Sequence, residues 1–83
     1  MLFKMFAVHD VKAKCYKTPF FMPESGMATR AFKDGINSDT EIAKNPSDYT
    51  LFHMGEWDDS EGTIHPLKSP ETLGNGTKYQ RGE

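Results

Sequence analysis

The sequence predicts a small α+β domain, a mainly antiparallel sheet with one packed helix arranged as a β-α-β-β core. Three observations carry this. Ala28, Phe32 and Ile36 recur at intervals of four, which is the spacing of one helix face. Residues 2–9 and 49–57 are dense in aromatic and aliphatic side chains, as strands are. Between the second of these and Thr63-Ile64-His65 stands Asp58-Asp59-Ser60-Glu61-Gly62, the composition of a type I turn closed by a left-handed glycine.

Each element follows in order. In Leu2–His9 apolar residues occupy both parities, so the strand belongs inside the sheet. Asp10–Thr18 is polar and basic, a loop or hairpin arm leading to Pro19. Phe20-Phe21-Met22 is bracketed by Pro19 and Pro23, which makes it an edge strand or an extended crossing. Pro23 disfavours helix at Met22, so the helix spans about residues 25–36 with Ser25 as its N-cap. Gly35 and Asn37 provide its stop. Asp39 is placed to cap one turn through Glu41, Ile42 and Ala43, before Asn45-Pro46. The next strand carries Tyr49, Leu51, His53, Gly55 and Trp57 on one parity, and Thr50, Phe52, Met54 and Glu56 on the other. The return strand is expected to end at Pro66, which lacks a ladder donor. The chain therefore reads as one domain over 1–83, with 68–83 a poorly ordered or extended C-terminal segment.

The 83 residues lie near the lower limit for a self-sufficient core, so pairing with a second copy is an expected source of stability. A single cysteine, Cys15, forms no intrachain bridge and fits a reducing compartment. No apolar run reaches transmembrane length, and Lys4, His9 and Asp10 interrupt any signal-like stretch. The net charge of -2 conceals an asymmetry. Residues 1–33 carry six basic groups against two acids, whereas residues 34–83 carry four against ten. A basic first part points to an anionic partner, although charges on any surface also serve to solvate it.

Catalytic chemistry finds no foothold in these residues. His9, His53 and His65 have no recognised ligand spacing, and one cysteine makes no thiolate cluster. Cys15 lies near Lys14 and Lys17, but no base or oxyanion pocket accompanies it. Gly74-Asn75-Gly76 lacks the Lys-Ser/Thr of a phosphate loop. The expectation is a protein that is not an enzyme and uses no cofactor or metal. Nucleic-acid binding has more support, because Lys12, Lys14, Lys17, Arg30 and Lys33 are interleaved with aromatic residues. Cations that follow phosphates and rings that stack on bases are what holds single strands. Most of the phenylalanines are equally good core residues, which leaves Tyr16 and one of Phe20 and Phe21 as the spare rings. The competing class is a protein-interaction module built on exposed strand edges and on Trp57 near the hairpin tip.

Three runs then look familiar: Phe20-Phe21-Met22-Pro23, Gly26-Met27-Ala28-Thr29-Arg30-Ala31-Phe32 and Pro46-Ser47-Asp48-Tyr49-Thr50-Leu51-Phe52. With Gly55-Glu56-Trp57-Asp58-Asp59-Ser60-Glu61-Gly62 and Leu73-Gly74-Asn75-Gly76, they resemble a small non-structural protein family of gokushoviruses, which are microviruses with single-stranded DNA genomes. The similarity spans almost the whole chain in the same order. It implies a phage protein of the bacterial host cytoplasm that binds single-stranded DNA during genome replication or packaging. It supplies no catalytic residues. The chain lacks the strongly basic balance of a genome-condensing protein, so a modest binder, dimeric in form, is expected in place of bulk packaging. The expected contact surface is Lys12, Lys14, Tyr16, Lys17, Arg30 and Lys33. The alternative is a homo-oligomeric adaptor for phage replication or capsid proteins.

Overall fold

The computed structural model describes residues 1–38 and 41–80. In chain order it holds β1 (Leu2–Asp10), β2 (Cys15–Tyr16), β3 (Phe20–Met22), α1 (Ser25–Ile36), α2 (Glu41–Lys44), a 3₁₀ turn (Pro46–Asp48), β4 (Tyr49–Asp58), β5 (Thr63–Asn75) and α3 (Gly76–Tyr79). The strands form one five-stranded antiparallel sheet in the order β2-β1-β4-β5, with β3 also on β1. This is the α+β architecture expected. No helix among the described residues is long and apolar enough to cross a membrane.

β1 is central, as its apolar residues on both parities required. On one side it pairs with β4 along its whole length. On the other, β2 and β3 act as one interrupted strand, with His9 opposite Tyr16 and Phe6 opposite Phe20. The interruption falls at Thr18-Pro19, where proline has no N–H to give. The apolar face of α1 packs Ala28, Phe32 and Ile36 against Phe6, Val8, Tyr49 and Leu51. Phe6 and Leu51 are wholly enclosed. Each such large side chain contributes about 1.5–3 kcal/mol by leaving water.

Four details differ from expectation. The cap position of α1 is Glu24, not Ser25, and it makes no side-chain cap bond. Pro23 leads into an extended residue whose carbonyl accepts from Met27 and Ala28, so the helix begins at Ser25 itself. Second, β5 does not stop at Pro66 but runs to Asn75. Its pairing with β4 breaks off after Pro66, leaves residues 67–70 without a partner on β4, and resumes at Glu71. Third, the segment from residue 68, expected to be poorly ordered or extended, is extended as far as Asn75 but then turns into α3. Tyr79 donates its hydroxyl to the Leu73 carbonyl at 2.5 Å and meets the Phe32 ring edge-on at 5.8 Å. Fourth, Trp57 does not share a face with Tyr49. The cap expected at Asp39 lies outside the described residues.

Candidate functional site

The position of Trp57 follows from a one-residue irregularity in β4. Opposite β1, Phe6 pairs with His53 but Met5 pairs with Gly55, so Met54 is an extra residue. Opposite β5, His53 pairs with Glu71 and Gly55 with Pro66, so Met54 stands against residues 67–70, four unpaired residues of β5. This is a β-bulge, and it exchanges the two parities of the strand beyond it. Tyr49, Leu51 and His53 face α1, whereas Gly55 and Trp57 lie with Met5 and Phe3 on the opposite side. His53 fills the inner side of the bulge. Its Nε2 is 3.0 Å from the Gly55 carbonyl, its Nδ1 3.6 Å from Glu71 Oε1, and its ring 5.4 Å from that of Phe6. It is a satisfied core histidine, apart from both His9 and His65.

The sheet therefore has a face that α1 does not cover. Register places Phe3, Met5, Ala7 and His9 of β1 on it, with Thr50, Phe52, Gly55 and Trp57 of β4. Tyr16, Phe21 and Ile64 join from the neighbouring strands. A water-facing antiparallel surface ordinarily alternates to polar residues. This one is apolar and aromatic, with Phe21 44% and Ile64 57% exposed.

Its two ends differ in charge. At one end His9, Tyr16 and Phe52 form a ring cluster, with centroids 4.7 Å apart for His9–Tyr16 and 5.8 Å for Tyr16–Phe52. The adjoining turn, Val11–Lys14, carries exposed Lys12 and Lys14. Asp10 Oδ1 builds that turn by accepting from the N–H groups of Lys12 (2.9 Å) and Ala13 (3.2 Å). Lys14 closes it in the left-handed region at φ 59°. At the other end Phe3, Phe21, Trp57 and Ile64 line a shallow apolar pocket. Beyond it lies the β4–β5 turn with Asp58, Asp59 and Glu61. The chain's terminal ammonium sits on Asp59 Oδ1 at 2.6 Å.

Of the six expected contact residues, four gather at the basic end: Lys12, Lys14, Tyr16 and Lys17. Lys17 turns toward the helix side, its Nζ 5.6 Å from the centre of the Tyr49 ring. Burial holds the Tyr49 hydroxyl above its ordinary pKa of 10.0, with Asp10, Glu41 and Asp48 adding to the rise. The other two are elsewhere. Arg30 lies about 160° around α1 from buried Phe32, in a groove with Glu24 and Asp34. Lys33 is exposed on the same helix. Neither joins the open face, which lies across the sheet from α1. The rings at His9 and Phe52 were missed by sequence reasoning. Their signal is the alternation in β1 and β4, where each stands one step out of phase with a core residue.

When the chain is compared with known proteins, residues 3–79 match the profile of the family described as phage ORF5 protein. No curated protein and no solved structure matches it.

Proposed function

The chain belongs to the phage ORF5 protein family, and on that premise we propose that it is a non-enzymatic, cofactor-free protein that binds single-stranded DNA during phage genome replication or packaging in the host cytoplasm. The observation that carries the reading is the basic end of the open sheet face. There Tyr16, Phe52 and His9 offer ring faces beside Lys12 and Lys14, and Lys17 follows on the same edge strand. A single strand laid here can stack bases on the rings while its phosphates meet the lysines. Duplex DNA has its bases already stacked and gains only the charge term. Arg30 and Lys33, on the helix side, are left out of the contact surface.

The test is a fluorescence anisotropy titration over a salt series, with single-stranded and duplex DNA of equal length. Changing Lys12, Lys14 and Lys17 together to Ala should lower the affinity for the single strand. It should also reduce the slope of log affinity against log salt by about 1.4, at roughly 0.7 for each of Lys12 and Lys14, since Lys17 turns toward the helix side. Tyr16→Ala should weaken single-strand binding by about 1–3 kcal/mol with the salt slope kept. Unchanged affinity and slope in the triple variant would remove this surface from consideration. A second reading, the homo-oligomeric adaptor, is favoured by the apolar pocket at the other end of the same face.

A further inference from the structure

We propose that the open face of the sheet is covered by a second copy of this chain, packed face to face with its strands reversed. The apolar run from Phe3 to Ala7 on β1, with Phe21, Trp57 and Ile64, is a surface that water does not favour. The core behind it is small: among the described residues, seven apolar side chains are buried in it. A chain of 83 residues with one cysteine has no disulfide staple of its own.

Charge selects the occupant and its orientation. Asp58, Asp59 and Glu61 stand at one end of the face, Lys12 and Lys14 at the other. The terminal ammonium on Asp59 offsets part of the first, and Asp10, with Asp48 and Glu41 toward the helix side, offsets part of the second, so the contrast rests on the exposed Lys12 and Lys14 of the turn itself. A two-fold axis running along the strands would set acidic tip on acidic tip. An axis across them, near the middle of β1, reverses the partner and sets each acidic tip on the other copy's basic turn. That axis also lays Phe3, Phe21, Trp57 and Ile64 over His9, Tyr16 and Phe52 of the partner. The centre is left to Met5, Ala7 and Gly55, which are slender enough for two sheets to approach. A two-fold contact must be complementary to itself, and this surface is so in only one of the two directions. Because the rings and lysines proposed for DNA lie within the covered area, a single strand and the second copy would exclude each other.

The pairing is measured on the full chain without DNA, so its failure is separate from any failure of DNA binding. Sedimentation velocity from micromolar to millimolar protein should give a reversible dimer that weakens with added salt. Trp57 is the only tryptophan, and its emission should move to shorter wavelength as the dimer forms. Ile64→Lys, at an exposed position, should weaken association by about tenfold or more. A Lys12→Glu/Lys14→Glu chain and a Glu61→Lys chain should each self-associate poorly but regain affinity when mixed, because one of the two tip-on-turn contacts is then a matched pair. A monomer at every concentration overturns the proposal. So does a dimer indifferent to Ile64→Lys, or one in which mixing the two charge variants restores nothing.

Discussion

Two turns close the ends of the sheet by the same device. Asp10 and Asp58 each end a strand, and each carboxylate accepts from N–H groups two and three residues on. The fourth residue beyond each lies in the left-handed region: Gly62 at φ 68° and Lys14 at φ 59°. Glycine is at ease there, and lysine is strained by about 1–2 kcal/mol. Lys14→Gly should therefore raise the unfolding free energy by about 1 kcal/mol in a denaturant titration. The same change should lower single-strand affinity, since it deletes a cation at the basic end. A stability gain without loss of binding would leave Lys14 outside the DNA contact. The Asp-to-glycine turn was legible in the sequence because glycine announces its own conformation. Its twin was not, because lysine does the reverse, and Asp10–Thr18 therefore read as an undecided loop. Tyr16 was legible as a spare ring. Phe52 was not, since nothing in its own residue type tells an outer ring from a core one.

At the level of elements, the helix could be read almost to its ends. The spacing of Ala28, Phe32 and Ile36 fixed its face, and Pro23 and Asn37 bounded it. β4 could be read as a strand but not as a bulged one. A bulge is an agreement between a strand and its neighbours, and the strict alternation of Tyr49, Leu51, His53, Gly55 and Trp57 gives no sign of it. One position in that run still shows the cause. A Cβ on Gly55 would stand 2.6 Å from the His65 carbonyl oxygen and 2.8 Å from Pro66 Cα, both backbone atoms. β5 comes in closely there because Gly55 leaves the room. Gly55→Ala should destabilise the fold by about 1–3 kcal/mol through overpacking. The measurement is a lower denaturation midpoint with an unchanged slope, and a midpoint equal to that of the parent chain would refute the close approach. β5 was read correctly as far as Pro66, where its pairing with β4 does break off, but its resumption at Glu71 escaped the sequence reading, because nothing in residues 67–70 announces a return to the ladder.

The molecule as a whole is elongated, 45 × 24 × 18 Å, with opposite charge at the two ends of one sheet face. Its stability should depend on alkaline pH through two groups. The terminal ammonium is held above its usual 8.0, chiefly by its hydrogen bond to Asp59, and the Tyr49 hydroxyl is held above its usual 10.0, chiefly by burial. In both the folded chain keeps its proton longer than the unfolded one does. Their contribution is therefore complete below pH 8 and is lost as pH rises, first through the ammonium and then, above pH 10, through the phenol. Melting temperature followed from pH 7 to 11 should fall in that order, and a flat profile would contradict both contacts. The unmatched Met54 also determines where the chain tolerates a change in length. Excising that one methionine would straighten β4 yet leave every ring pointing as before. Adding or removing a residue anywhere else between Tyr49 and Trp57 would turn one half of the strand over, carrying Trp57 inward or Leu51 out into solvent.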